Sequence, residues 1–161
     1  MTLIFDGVKY QHRWSKDGQN EFTPQGQSDL TAWREMVTLN VHKDVSSGDG
    51  LAGVANNILG LYQEHGHIMH TDSKRRTLQS PAEHFMAAFF AQSDFFEAAF
   101  VRVMLHDKAA MVIVYSRRFY GEKAQKEMTD WLDSNGKRIE KALMSWGSIQ
   151  ALRNLEKLPQ S

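Results

Sequence analysis

The fold is decided by residues 83–120, which read EHFMAAFFAQSDFFEAAFVRVMLHDKAAMVIVYSRRFY. The run is rich in Phe, Val, Met and Ile, which favour strands, and its middle is apolar on both faces. Such strands lie centrally in a sheet and are covered by helices. We predict three of them, over about 83–92, 95–106 and 109–120. The connectors between them are only two or three residues long. Because connectors of that length form hairpins, the three strands predict an antiparallel meander.

The rest of the chain adds helices and outer strands to this meander. Apolar residues at helical spacing predict one helix over about 49–64 and a long one from Gly121, which Asn135-Gly136 is expected to kink or split. Residues 18–30 are polar and predict a loop. Further strands are predicted over 3–16 (one strand or a pair), 37–41 and 67–76. The fold class is therefore α+β, an antiparallel sheet with two main helices, in a single domain over 1–147 followed by a short helical tail over 148–161.

Composition limits the function. Nineteen basic residues balance nineteen acidic ones in 161 residues, which argues against a general nucleic-acid binder. The lack of net charge makes self-association, for example as a homodimer, easier. The chain has no cysteine, so disulfides, thiol nucleophiles and Cys-ligated zinc are excluded. There is no apolar run long enough to span a membrane, and no basic-then-apolar leader at the start. We expect a protein of the cytoplasm, or of the periplasm if a leader was removed.

The order of these elements carries a resemblance to a known fold. The strand at 37–41, the helix at 51–62, the meander at 83–119 and the last helix around Trp131 resemble the PsbP-like α/β sandwich. That fold is shared by an extrinsic photosystem II subunit, a yeast Ran-binding protein, and bacterial domains that include lipoproteins and secretion chaperones. Most members are non-catalytic binding or assembly proteins. The resemblance implies the same class of role here, and it identifies no site residue by position.

Three small groups of residues are candidates for a site. His65, His67 and His70 lie close together in sequence and could ligate a metal, although alternation along a strand would point His67 and His70 to opposite faces. Arg102 and Arg117 lie on adjacent predicted strands and could bind an anion together. Neither group has the spacing of a known motif.

The tail offers the third candidate. Its narrow apolar stripe needs a surface to cover, either its own domain or a protein partner. The stripe comprises Ile149, Leu152, Leu155 and Leu158.

Because no catalytic signature is present, we expect a non-catalytic module without a cofactor that acts on a protein partner through a sheet face or the tail. Two alternatives stay open. One is a small metal-dependent or acid–base enzyme that uses the region of His65, His67 and His70. The other is a carrier of a small anionic or lipidic ligand, held between sheet and helix by Phe89, Phe90 and Phe100.

Overall fold

All eight strands of the chain join one antiparallel sheet, in the order β1-β2-β3-β4-β8-β7-β6-β5. The computed structural model describes residues 1–161. The two main helices lie on opposite sides of the sheet, so the predicted α+β class is confirmed. In chain order the elements are β1 (Thr2–Phe5), β2 (Val8–Lys16), β3 (Gln19–Pro24), β4 (Glu35–His42), α1 (Gly48–His65), β5 (His67–Lys74), β6 (Glu83–Ala91), β7 (Phe95–His106), β8 (Ala109–Tyr120), α2 (Ala124–Met144) and α3 (Leu152–Leu155).

The meander has the predicted strands and connections. β7 pairs with β6 on one side and with β8 on the other along nearly its whole length. Between β7 and β8, Asp107 and Lys108 both have positive φ, at 48° and 64°. Two such residues form the tight turn whose twist matches that of the flanking strands. The hairpin therefore sets the register of β7 and β8, two inner strands of the sheet.

The prediction of a loop over residues 18–30 was wrong for its first part, because residues 19–24 form β3. Asp17 and Gly18 make a two-residue turn with φ of 49° and 85°, so β3 follows β2 directly. Its sequence looks like a loop because four of its six residues, Gln19, Asn20, Glu21 and Thr23, are polar. Its one large apolar residue, Phe22, is completely buried. A six-residue strand with one large apolar side chain gives too weak a periodic signal to detect.

Alternation along the strands divides the residues between two faces, which we call the α1 face and the α2 face. The α2 face carries the larger core, where Phe85, Phe100 and Ile113 meet Met128 and Ile139 of α2. The α1 face carries a smaller core, in which apolar residues of β6, β7 and β8 meet α1. This second core comprises Leu51, Ala55, Met86, Val101, Val103, Ala110 and Val112.

Helix α2 is one continuous element of 21 residues, so the predicted split at Asn135-Gly136 does not occur. A glycine inside a helix costs about 1 kcal/mol relative to alanine. Burial of Met128, Ile139 and Leu143 against the sheet outweighs that cost. Neither α1 nor α2 combines the length and the apolar character that crossing a membrane requires.

Candidate functional site

The three candidate metal ligands lie in separate surroundings. His65 lies at the end of α1, and the His67 ring stacks on Phe89 at 4.9 Å between centroids. His70 Nε2 lies 3.2 Å from a carboxylate oxygen of Glu140. No three His, Asp or Glu side chains come together in the geometry of a metal site. These histidines therefore do not form a joint site in this conformation.

The expectation that His67 and His70 face opposite sides was wrong, because β5 contains a bulge. His67 pairs with Phe89, and His70 pairs with Ala87, two positions along β6. Met69 is the extra residue of the bulge, and because of it both histidines lie on the α2 face. Strict alternation fails at a bulge, and the pairing with β6 that reveals it is not visible in the sequence of β5 alone.

The two candidate anion-binding arginines do not converge. Arg102 is opposite Ile113 in the β7–β8 register, four positions from Arg117. That spacing is about 13 Å along the strand. Arg102 bonds Glu83 at 2.5 Å and donates to the main-chain oxygens of Leu143 and Trp146 at the end of α2. Its Nε and Nη1 donors are therefore engaged within the protein.

Arg117 is held in a different cluster on the α2 face. Its guanidinium donates to Glu35 (2.9 Å) and lies 5.1 Å from the centroid of the Trp131 ring. The hydroxyl of Tyr115 donates to the same Glu35 oxygen. Burial, followed by the negative charge of Glu35, raises the pKa of Tyr115. One buried nitrogen of Arg117, Nε, has no partner. In this cluster the formal charges of Arg117 and Glu35 cancel each other.

The tail is part of the main core. Leu152, Leu155 and Leu158 are each at most 9% exposed and pack with residues of the α2 face, with Ile149 beside them. The main-chain amide of Leu152 donates to Asp107, which holds the tail at the β7–β8 turn. In the structure the stripe packs on its own domain, which is one of the two alternatives that the sequence left open. These leucines have almost no free apolar surface for a partner.

The proposed carrier cavity is divided by the sheet. Phe89 and Phe100 are on the α2 face, whereas Phe90 is on the α1 face, where it contacts Tyr62 edge-on at 4.9 Å between centroids. The sheet lies between its two faces, so the three phenylalanines do not line one cavity. Phe100 does line a surface groove between the sheet and α2.

A buried hydrogen-bond network includes residues that the sequence did not single out. His12 Nε2 lies 2.7 Å from Ser15 Oγ, and Ser15 Oγ donates to Asn20 Oδ1. Since the serine proton points to Asn20, His12 donates to Ser15 and does not act as its base. Ser15 is completely buried, and burial lowers the pKa of His12. The network joins β2 to β3, and its serine is closed to solvent.

On the α1 side of the sheet, no helix packs on the part formed by β2, β3 and β4. Helix α1 lies over β5, β6 and β7 and leaves this region without a helix. We call it the open face and define it by six residues that alternate toward the α1 side. They are Trp14, Gln19, Glu21, Met36, Thr38 and Asn40. Four of them are half-buried, and Met36 and Thr38 are buried beneath the others.

A groove of about 470 Å³ runs along one side of the open face. Trp14 and Gln19 of the β2–β3 hairpin form one wall, and Ile58 of α1 forms the other. Asn40 and Val112 lie along its floor. The lining combines one aromatic residue, three aliphatic ones and two amides with Lys16, Asp17 and His42, and aromatic residues are enriched at the contact surfaces of proteins.

A stacked arginine closes the opposite end of this face. The Arg118 guanidinium lies between the rings of Trp33, at 4.1 Å, and Phe95, at 3.8 Å. Its Nε donates to Glu97 at 2.7 Å. Tyr120 donates to the main-chain oxygen of Trp33. The stack fastens the loop before β4 onto the sheet, and its aromatic and cationic groups border the open face.

Comparisons with known proteins bear on the fold alone. No protein-family model matches the chain, and no curated protein sequence matches it. Among solved structures, the chain is similar to the Saccharomyces cerevisiae Ran-binding protein Mog1p, with a TM-score of 0.54, 10% identity, and coverage of 89% of this chain and 90% of that one. A point variant of Mog1 matches over the same shares, with a TM-score of 0.51 and 8% identity. The chain therefore has a Mog1-like α/β sandwich fold.

Proposed function

We propose that the chain is a non-catalytic protein-binding or assembly module that contacts its partner through the open face. The single observation that carries the proposal is the lack of a helix over β2–β4, where Trp14 and the groove beside it are accessible. Trp, Arg and other aromatic residues are enriched at protein interfaces, and the open face and its border contain all of these.

Two further observations support a non-catalytic role. The tyrosines Tyr10, Tyr62 and Tyr115 have their pKa raised by burial, and His12 has its pKa lowered. All four pKa values move away from neutral pH, so these four residues are not tuned for general acid–base catalysis. Mog1p, which shares the fold, is described as a Ran-binding protein. The likeness also supports including the chain in the wider PsbP-like group of sandwiches as part of this proposal.

The test is a cross-linked pull-down of the full chain from its own cells, with wild type and variants in parallel. Trp14→Ser and Asn40→Arg alter the groove. Lys126→Glu is the matched control, because Lys126 is exposed on α2, on the other side of the sheet. We expect one stoichiometric partner with wild type and control, and its loss with both groove variants.

The readout must separate binding from folding, so each variant is first checked by circular dichroism and urea unfolding. Recovery of the chain without any stoichiometric partner would contradict the binding role. Equal recovery of a partner by wild type and both folded groove variants would remove the open face as the contact surface.

A further inference from the structure

The loop between β5 and β6 has little to hold it against the rest of the protein. It runs over residues 75–82, nearly all of which are exposed. Leu78 is fully exposed, so its side chain packs on nothing. The bonds inside the loop are confined to its tip, where the Thr77 amide donates to the Ser80 oxygen and the Thr77 hydroxyl accepts from the amides of Gln79 and Ser80. This segment can therefore open locally while the fold stays intact.

The loop begins with a basic pair whose charges are free. Arg75 and Arg76 take part in no main-chain hydrogen bond outside the strands and helices, and neither guanidinium has an ion-pair partner. Arg76 lines a pocket of about 500 Å³ together with Asp49 of α1 without pairing with it. Lys74, which precedes the pair, is engaged, because its Nζ donates to the main-chain oxygen of Met144. The free basic group therefore consists of the two arginines alone.

Two other basic pairs occur in the chain, and the fold protects both. Arg117-Arg118 lies within β8, where two glutamates bind the guanidinium groups. Lys137-Arg138 lies within α2, whose main chain is bonded in the helix. An endopeptidase takes up its substrate as an extended segment paired through main-chain groups, and exposed loop tips are where folded proteins are cut. Only the pair in the β5–β6 loop meets both conditions.

We propose that the peptide bond between Arg76 and Thr77 is a processing site for an endopeptidase that recognises two consecutive basic side chains through acidic subsites. A water oxygen bonds to the carbonyl carbon of Arg76, the carbon–nitrogen bond to Thr77 breaks, and the Thr77 nitrogen takes up both protons of the water. The products are a carboxylate at residue 76 and an ammonium group at residue 77. Carboxylates bind the forked guanidinium of arginine in pairs of charge-assisted hydrogen bonds, which gives the selectivity.

The cut leaves both parts of the chain in one folded molecule. Residues 1–76 contain β1–β5 and α1, and residues 77–161 contain β6–β8, α2 and α3. Eight residue pairs join β4 to β8, and seven join β5 to β6. Helix α1 also packs on apolar residues of β6, β7 and β8. All of these contacts link one part to the other, so they hold the molecule together without the peptide bond.

Cleavage acts on the pocket at the start of α1. Residues 76–82 form one wall of this pocket, and Gly48 and Asp49 of the helix lie opposite. The new chain ends lie in that wall, so the cut opens the pocket. The open face is formed by β2–β4, whereas this loop joins the two strands at the other end of the sheet order. The inference therefore stands whether or not the proposed function does.

The first test exposes the folded chain to a serine endopeptidase of dibasic specificity. Intact-mass spectrometry identifies the fragments, and size-exclusion chromatography shows whether they stay together. We expect the first cut after Arg76, at least about tenfold faster than at any other bond, because the loop opens locally whereas the other basic pairs open only with the fold. The two fragments should elute as one species.

Variants test the recognition of the pair. Arg76→Gln and Arg75→Gln each remove one of the two charges, and each is expected to slow the cut at least about tenfold. Lys137→Gln is the matched control, because it removes a member of the pair in α2, and it should be cut as wild type is. All three positions are exposed, and circular dichroism checks that each variant is folded.

The second test asks whether cells make the cut. The chain is recovered from its own cells and digested with a glutamate-specific endopeptidase, which does not itself cut after arginine. A peptide that begins at Thr77 and ends at Glu83 is expected from wild type and not from Arg76→Gln.

A first cut at another bond would overturn the inference, as would equal cutting of wild type and a folded Arg76→Gln variant. Separation of the two fragments on the column would contradict a cut molecule that stays folded. Absence of the peptide that begins at Thr77 from cells producing wild type would overturn the processing role, even where the purified endopeptidase cuts the loop.

Discussion

Arg102 illustrates how one residue holds two parts of the molecule together. It lies on β7, is 6% exposed, and bonds Glu83 of β6. The same side chain donates to the main-chain oxygen of Leu143, in the last turn of α2, and to that of Trp146, just beyond the helix. A buried charge is tolerated only when it is paired and hydrogen-bonded, and this arginine satisfies both conditions.

Replacing Arg102 with methionine should lower the free energy of unfolding by about 3 kcal/mol, because Glu83, whose side chain is only 15% exposed, is left without its partner. Urea unfolding measures the loss. The double variant with Glu83→Gln should be less destabilised than Arg102→Met alone. Lys126→Met, which breaks an exposed ion pair with Asp130, should leave the midpoint unchanged. Equal stability of Arg102→Met and wild type would show that the bonds at the end of α2 contribute little.

Single residues also limited what could be predicted about the candidate sites. One extra residue, Met69, reversed the expected face of His70 relative to His67. The arginine candidates failed for a related reason, since adjacent strands bring residues together only at matching register positions, and Arg102 and Arg117 do not match. Register is a property of two strands, so no pattern within one of them reveals it.

At the scale of elements, the apolar stripe of the tail does not by itself identify the surface that it packs against. The sequence allowed packing on a partner or on its own domain, and in the structure the stripe packs on its own domain. Its contacts come from distant parts of the chain. The oxygen of Gln150 lies 3.1 Å from His106, Glu156 pairs with Lys43, and the amide of Ser161 donates to Ser15. Own-domain packing requires a surface that only the assembled sheet provides.

Leu155→Ala should therefore destabilise the fold by about 2–5 kcal/mol, the range for a truncated core leucine. Leu155 is 3% exposed and belongs to the larger core. Thermal or urea unfolding measures the loss, and Leu61→Ala, at a position that is 55% exposed, is the matched control. If both variants unfold at the wild-type midpoint, the tail is not a stabilising part of the core in solution. If Leu155→Ala destabilises the fold as expected, loss of a partner after deletion of the tail would result from unfolding and would not identify the tail as an interface.

At the scale of the whole molecule, buried and half-buried tyrosines on both sides of the sheet make stability fall at alkaline pH. Burial, helped by the charge of Glu97, raises the pKa of Tyr62 to about 12, and Tyr10 and Tyr115 are shifted in the same direction. In the unfolded chain tyrosine loses its proton near pH 10. Above that pH the unfolded chain binds fewer protons than the folded one, so stability falls as the pH rises.

The stability that neutral Tyr62 contributes is complete below about pH 10 and is lost as the pH approaches about 12. The loss is on the order of 2 kcal/mol for this residue. Unfolding midpoints from neutral to alkaline pH, with tyrosinate absorbance followed in parallel, measure it. Tyr62→Phe should show a shallower decline than wild type. Parallel curves for the two proteins would contradict the burial of this hydroxyl.

The sequence by itself determined the central architecture. Residues 83–120 specified three strands and their antiparallel pairing, because strand propensity, apolar continuity and short connectors are all local properties. The two helices followed from their periodic stripes in the same way. Local signals decide such elements because each depends on neighbours in the chain.

Tertiary structure alone decided the rest. It paired β3 into the sheet through the turn at Asp17-Gly18, inserted the bulge at Met69 and covered the tail leucines. It also left the α1 face of β2–β4 without a helix and the β5 edge without a partner. These surfaces depend on where α1 and α2 lie across the sheet. That placement arises from packing between residues far apart in sequence, whose contacts no local pattern encodes.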